Sequence, residues 1–412
     1  MRIYIYLILL SLFNFSVSFA QEEKQITIIH AGKLLAVAGG ELLSNQSIII
    51  ENGKIIDVMA SYISGDDLDG EVRVVDLSDK FVMSGMMDVH IHMAEGDLNV
   101  AGANAADHAL MGVINSRKAL LAGFTTVRDL GARDDTLYKI IDAIDSGDII
   151  GPRILPGGII IGVGSRANGR ECNGVESCRR TTRDMIIEGA KWIKIRSSCR
   201  MSKLCSNEEG APIFFNDEFK AITDVAKKYN IPVAVHSHPR ESALQALKFG
   251  VTSIEHGTFM NEEAMDIMIR DDVYYVPTVS NLEEIEQQVS SGDYSGAALE
   301  HRIKYIERHP GVIYQAYKKG VKIATGTDGD GRNIGKNYRE IERFVALGIP
   351  HNDALKMATV NSAELLGFSN SLGSIENGKI ADIIAIDGNP LKDIKDIENV
   401  VFVMKDGKIY KD

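Results

Sequence analysis

One feature constrains this chain more than any other. From about Gly85 onward, short apolar runs of strand length alternate with longer stretches of helical pattern. The runs are Met86 to Val89, Thr125 to Val127, Ile154 to Leu155, Trp192 to Ile195, Val233 to Val235, Thr252 to Ile254, Val273 to Val276 and Val321 to Ala324. Helical periodicity fills the intervals, as in Asp217 to Tyr229 and Glu241 to Phe249. Uninterrupted apolar runs belong to strands covered on both faces, and parallel βα units cover strands that way. Eight such units over residues 84–369 fit a closed (β/α)8 TIM-type barrel, whose usual size is about 250 residues. An open doubly wound sheet is the rival architecture. No glycine-rich nucleotide fingerprint follows an early strand, which counts against it.

The flanks carry a different pattern. Ile26 to Ile29, Ser47 to Glu51, Lys54 to Met59, Val72 to Asp76 and Lys80 to Met83 read as strands, with turn signals at Gly39-Gly40 and Asn52-Gly53. The dipeptide Asn52-Gly53 between two such runs is a hairpin cue, because both residues tolerate positive φ. The tail returns to strands at Ala381 to Ile386 and Val400 to Lys405, with a turn at Asp406-Gly407. The expectation is a small β-sandwich subdomain built from residues 21–83 and 370–412, flanking the barrel.

Arg2, the apolar run Ile3 to Phe13, and small residues at Ser18 and Ala20 read as a signal peptide over residues 1–20, cut after Ala20. An uncleaved anchor is the alternative, but Ser11 and Asn14 interrupt a run already short of the roughly 20 residues a span needs. The expected location is therefore periplasmic or secreted, with no stable membrane insertion after cleavage. In that setting Cys172, Cys178, Cys199 and Cys205 read as disulfides. Five residues separate the cysteines of each close pair, wider than structural zinc spacing, and three pairings stay open. A formal net charge of -12 excludes a nucleic-acid partner that relies on a basic face.

Catalytic groups of such a barrel sit at the C-terminal ends of its strands. The first run ends Asp88-Val89-His90-Ile91-His92, and alternation along a strand points His90 and His92 the same way. The fourth run contains Lys194, a cation inside an apolar strand that needs a compensating reason. The fifth ends at His236, the sixth at His256, and the eighth leads through Gly326-Thr327 to Asp328. Each signal alone is weak. A lone histidine is commonly a packed core residue, and a lone lysine commonly snorkels to the surface. Four histidines and an aspartate at the ends of the first, fifth, sixth and eighth runs, with a lysine inside the fourth, are together expected to form a site for zinc or another divalent transition metal.

With these residues in place, the chain resembles the amidohydrolase superfamily, on the branch of imidazolonepropionase-like enzymes and Xaa-Pro dipeptidases. The resemblance runs from about Gly32 to Lys408. It includes Thr125-Thr126-Val127-Arg128-Asp129, Gly151-Pro152-Arg153, Ile254-Glu255-His256-Gly257-Thr258, Gly326-Thr327-Asp328 and Gly378-Lys379-Ile380-Ala381-Asp382. It implies a centre of two divalent ions, with zinc expected. His90, His92 and Asp328 would hold the first ion, and His236 and His256 the second. Lys194, carbamylated by carbon dioxide, would bridge them. The ions would activate water and polarise the scissile carbonyl, and Asp328 would carry the proton to the leaving nitrogen. His238 lies where some relatives carry a substrate-contacting tyrosine; a solvent-facing rim histidine is the plainer reading.

Arg128 and Asp129 are expected either as a buried ion pair or as substrate contacts, and Arg153 as structural. His30, His108, His301, His309 and His351 are expected to be surface or packing residues. One departure bears on specificity. Many relatives carry a glycine-glycine-histidine-glycine stretch after the third strand, and here Gly162 to Gly169 contains no histidine. Arg166 or Arg170 could meet a substrate carboxylate there, or simply be solvated. The expected reaction is hydrolysis of an amide or peptide bond in a dipeptide or N-acyl amino acid. A cyclic amide, lactone or ester is the nearest alternative, a non-catalytic scaffold the distant one. Whether the chain forms a homo-oligomer is left open.

Overall fold

A computed structural model of the protein describes residues 25–95, 104–163, 170–198 and 211–412. The expected signal peptide, Arg166, Cys199 and Cys205 lie outside the described residues. Among those described, no helix is long and apolar enough to cross a membrane.

The chain begins with β1 (Gln25–Leu35), β2 (Leu43–Glu51), β3 (Lys54–Ala60) and β4 (Glu71–Ser84). The central portion follows as β5 (Met86–Ile91), α1 (Ala105–Leu121), β6 (Phe124–Asp129), α2 (Thr136–Asp145), β7 (Arg153–Pro156), β8 (Ile161–Gly162), β9 (Arg170–Glu171), α3 (Val175–Ile187), β10 (Ile193–Arg196), α4 (Asn216–Lys228), β11 (Val233–Ser237), α5 (Arg240–Lys248), β12 (Ser253–His256), α6 (Glu262–Asp271) and β13 (Tyr274–Val276). Helices α7 (Asn281–Ser290), α8 (Gly296–Lys319), α9 (Arg339–Ala346), α10 (His351–Met357) and α11 (Val360–Leu365) come next. The strands β14 (Ile383–Ile386), β15 (Val400–Lys405) and β16 (Lys408–Lys411) close the chain.

The flanking strands from both ends of the chain meet in one sheet, ordered β16-β15-β14-β4-β1-β2-β3. Where two stacked sheets were expected, hydrogen bonds link all seven strands into a single one. The cause is β4, which the sequence pattern divides into two short strands. It runs unbroken over 14 residues, pairing with β1 along most of its length and with β14 at its end. Its first half alternates exposed positions and its last four residues are buried, which is why it reads as two. One face of this sheet carries its own core, including Ile29, Leu34, Ile48, Val82, Ile383 and Phe402. Phe81, Met83, Ile384 and Val403 face the other way and join the core of the central portion. The two predicted turns touch. Asn52 and Asp406 both have positive φ, and a side chain on Gly407 would come within 2.4 Å of the Gly53 Cα. Only glycine permits that approach.

Among the described residues of the central portion, every strand-to-strand pairing is parallel. β5, β6 and β7 form one group, and β8 to β13 form another, ordered β13-β12-β11-β10-β8-β9. Strands β5, β6, β12 and β13 are buried at every residue, as parallel strands under helices must be. Seven of the eight expected runs coincide with strands to within one or two residues. The eighth does not form a regular strand. It is reduced to single bridges, Ile323 to Tyr275 and Gly329 to Ile91. Its backbone still bonds to both neighbours: Ala324 N donates to Tyr275 O (3.0 Å), and Val89 N to Thr325 O (2.8 Å). Gly326 lets it pass, since a Cβ there would lie 2.4 Å from Val276 Cγ1 and 2.8 Å from His90 Cβ. Beyond it, Asp328 turns to φ 55°, which breaks the extended run.

Candidate metal centre

The strand ends bring the candidate ligands into two adjoining groups. In the first, His90, His92 and Asp328 place their ligand atoms within 4.8 Å of one another. Asp328 Oδ1 lies 3.0 Å from His92 Nε2 and 3.2 Å from His90 Nε2. In the second, His236, His238 and His256 converge equally closely. The His236 ring centre is 4.5 Å from that of His256 and 4.7 Å from that of His238. The groups adjoin through His90 and His256, with ring centres 5.2 Å apart. Lys194 is 2% exposed and sets its Nζ 3.1 Å from His90 Nε2. All six expected ligands thus lie together, and His238 stands among them on the second group's side.

The imidazoles are oriented from behind. His90 Nδ1 meets Glu255 Oε2 at 2.8 Å, and His92 Nδ1 meets the Gly131 carbonyl at 3.0 Å. His256 Nδ1 meets Thr278 Oγ1 at 2.8 Å, and His238 Nδ1 meets Thr258 Oγ1 at 2.9 Å. A histidine whose Nδ1–H is spent on such a partner presents Nε2 with its lone pair free, the tautomer a metal needs. His236 Nε2 is buried with no hydrogen-bond partner, a polar atom that a cation would satisfy. The donor set therefore suits a zinc-type ion.

Charge differs between the groups. Burial opposes the charged form of His92, but Asp328, Glu95 and Asp129 outweigh it and lift the imidazole to about 9. Burial also works against the Asp328 carboxylate, yet the His90 and His92 imidazoles hold it well below the usual range. Burial and the neighbouring histidines drive His236 well below its ordinary value; burial does the same to His256, against the pull of Asp328. Burial lowers the Lys194 ammonium to about 8, with Glu255 and Asp328 pulling the other way.

Several supporting residues escaped the sequence reading. Glu255 is fully buried, and so is Arg128, whose Nη2 donates to Glu255 Oε1 at 3.0 Å. Burial alone would raise the Glu255 carboxyl, but Arg128 and His90 bring it down to about 2. The expected Arg128–Asp129 pair does not form, because neighbours on a strand face opposite ways. Arg128 joins Glu255 and lies 4.2 Å over the Trp192 ring. Asp129 instead accepts Met93 N (2.6 Å) and Gly131 N (2.9 Å), ordering the backbone beside His92. Asp88, in the same alternation as His90 and His92, accepts Thr327 Oγ1 and Asn337 Nδ2, each at 2.6 Å. The signal was available. Glu255 and Asp88 are charges inside apolar strands, and the reasoning applied to Lys194 applies equally to them.

Of the remaining expectations, Arg153 is structural: it joins Thr126 (2.8 Å) to Asp382 (3.0 Å) and Asp406 of the flanking sheet. Arg170 pairs with Glu188 at 2.5 Å rather than standing open to a ligand. Cys172 and Cys178 form a disulfide, with Cα atoms 4.4 Å apart.

Comparison with known proteins agrees with this geometry. Residues 81–410 match the model of the amidohydrolase family. Ochratoxinase of Aspergillus niger is 30% identical over 438 residues, covering 95% of this chain and 88% of that protein. A crystal structure of a Xaa-Pro dipeptidase with bound methionine in the active site superposes with a TM-score of 0.85 at 35% identity, covering 94% of this chain and all of that one (100%). A prolidase complexed with N-methylphosphonate-L-proline superposes at 0.84 with 26% identity, covering 94% and 99%.

Proposed function

Because the chain belongs to the amidohydrolase family, we propose that it cleaves an amide or peptide C–N bond at a two-metal centre, in a dipeptide such as Xaa-Pro or in an N-acyl amino acid. That it is a hydrolase of carbon–nitrogen bonds follows from its relatives. The observation that carries the finer reading is the convergence of imidazoles whose Nδ1 atoms are engaged from behind, around Lys194 and Asp328.

His90, His92 and Asp328 would hold one ion, and His236 and His256 the other. The lowered Lys194 ammonium leaves a share of neutral amine near pH 7. That amine would add to carbon dioxide and lose a proton, giving an anionic carbamate whose oxygens would serve as metal ligands. When bound, the ions supply an activated water and polarise the scissile carbonyl. Asp328 takes the proton from the attacking water and passes it to the leaving nitrogen, while Asn281 Nδ2 steadies its second oxygen at 3.1 Å. His238, its ring stacked 4.8 Å from His256, faces the substrate from the second group.

The same reading includes two structural proposals. The parallel strands and the bridged segment at Ile323 to Gly329 close into a (β/α)8 barrel, supported by bonds from that segment to both β13 and β5. Residues 1–20 direct export to the periplasm or beyond, and the mature chain then begins at Gln21.

The test is one purified sample carried through metal analysis and a substrate panel of dipeptides, N-acyl amino acids, cyclic amides and lactones. About two zinc-type ions per chain and turnover of the dipeptides or N-acyl amino acids are expected. Turnover confined to lactones would sink the substrate class, and well under one ion per chain would sink the metal centre. N-terminal sequencing of the exported protein checks the cleavage site.

A further inference from the structure

The turn from Pro277 to Asn281 carries no ligand in the reading above, yet it touches both ligand groups. Thr278 Oγ1 holds His256 Nδ1 at 2.8 Å, and Asn281 Nδ2 holds Asp328 Oδ2 at 3.1 Å. The turn adopts a costly shape to do so. Thr278 is β-branched and sits at φ 57°, in the left-handed region such residues avoid. A strained residue persists only where its surroundings over-determine it.

Here the surroundings are two buried polar side chains from helices. Glu340, in the first turn of α9, accepts Val279 N at 2.8 Å with one carboxyl oxygen and Ser280 N at 2.7 Å with the other. His309, on α8, donates Nε2–H to Pro277 O at 2.9 Å. Thr278, His309 and Glu340 are all fully buried. Nothing in the hydrolytic scheme uses Glu340 or His309, and a carboxyl group buried among helices needs a reason.

We propose that Glu340 is a positioning residue for the metal centre, acting through the strained Thr278 turn on the His256 imidazole. By clamping the two amides that follow Thr278, it keeps the hydroxyl aimed at Nδ1 and so keeps Nε2 turned toward the second ion. His309 secures the other end of the same turn. This inference rests on His256 being a metal ligand.

The test measures zinc affinity of the full-length mature chain by competition with a chromophoric chelator, after metal removal by dialysis. Thermal unfolding of the metal-free protein is followed alongside. Thr278→Val removes the hydroxyl at nearly constant shape and is expected to weaken the affected zinc site about 10- to 100-fold, the usual cost of losing such a partner. Thr278→Ser restores the hydroxyl and should stay within about threefold of wild type. Glu340→Gln should weaken the same site, and the double variant Glu340→Gln/Thr278→Val should fall no further than Thr278→Val alone, because both act through one contact. Wild-type zinc affinity in Thr278→Val, or a double variant that falls by the product of the two singles, would overturn the proposal. If Glu340→Gln does not fold, the Thr278→Val and Thr278→Ser pair decides. Failure of the wild type to bind zinc would defeat the metal-centre reading itself, whereas zinc uptake that is indifferent to Thr278 defeats this inference alone.

Discussion

The two ligand groups are built to different plans. The first joins His90 of β5 and His92, just past its end, to Asp328, 236 residues after His92, and contains a carboxylate. It is braced by charge, through Glu255 and Arg128. The second draws His236 and His256 from two adjacent strands and His238 from just past the first of them, contains only imidazole, and is braced by the hydroxyls of Thr258 and Thr278. Burial and neighbouring cations keep His236 well below its ordinary pKa, and burial does the same for His256. At His92, burial is outweighed by Asp328, which lifts the ring to about 9. Without an ion, then, His92 keeps a proton while His236 and His256 stay neutral. The first group therefore carries charge, while His236 and His256 are neutral, with His256 oriented by Thr278.

The largest effect should come from breaking that asymmetry at its source. Asp328→Asn removes both the ligand charge and the proton carrier. It is expected to lower kcat by about 10^4-fold, the upper end for an acid–base group. His238→Asn, which leaves the carboxylate in place, should cost far less. Steady-state kinetics on whichever amide substrate the panel identifies compares the two.

Glu255→Gln tests the charged brace. It leaves the Arg128 guanidinium buried without its counter-charge, and breaking such a pair costs about 3–5 kcal/mol. Denaturant unfolding of the metal-free protein measures it; a loss under about 1 kcal/mol would mean that the brace is not electrostatic.

His309 offers a pH-dependent check outside the ligand set. Burial holds its imidazole neutral, down at about 4, against the bond to Pro277. A depressed histidine gives stability at neutral pH that is lost on acidification, because the unfolded chain takes up a proton near pH 6.5 and the folded one only near 4. The difference in unfolding free energy between wild type and His309→Phe should therefore shrink by about 3 kcal/mol from pH 7 to pH 4. A pH-independent difference would mean that the imidazole titrates in the fold as it does in the unfolded chain.

The smallest effect belongs to the neutral brace. Thr258→Val should destabilise the protein by only about 1 kcal/mol, the net worth of one hydrogen bond. A loss as large as that from Glu255→Gln would erase the distinction between the groups.

Much of this was legible before any coordinates. Seven strands lay where apolar runs predicted them, because a buried parallel strand writes its whole length into the sequence as apolar residues. The eighth was misjudged in form because Gly326 and the left-handed Asp328 are set by close approach to His90 and Val276. Strand β4 was divided in two because its exposed half and its buried half carry different patterns, and pattern records burial rather than pairing. Glu255 was overlooked beside His256 because its neighbour looked like the functional residue. Arg128 was assigned to Asp129 because sequence adjacency stood in for spatial contact.

The sequence by itself determined which residue types stand at the strand ends, since local periodicity and the cost of burying charge act within a few residues. It therefore supplied His90, His92, Lys194, His236, His256 and Asp328 as a set. Only the tertiary structure decided which of them meet, which nitrogen each imidazole presents, and what holds it there. Glu255 comes from a strand, Glu340 from a helix, and Thr278 and Gly131 from the connections after two other strands, and orientation by hydrogen bonds depends on distances that no stretch of sequence contains. The same fold placed His238 beside His236 and His256, making a rim residue the neighbour of two ligands.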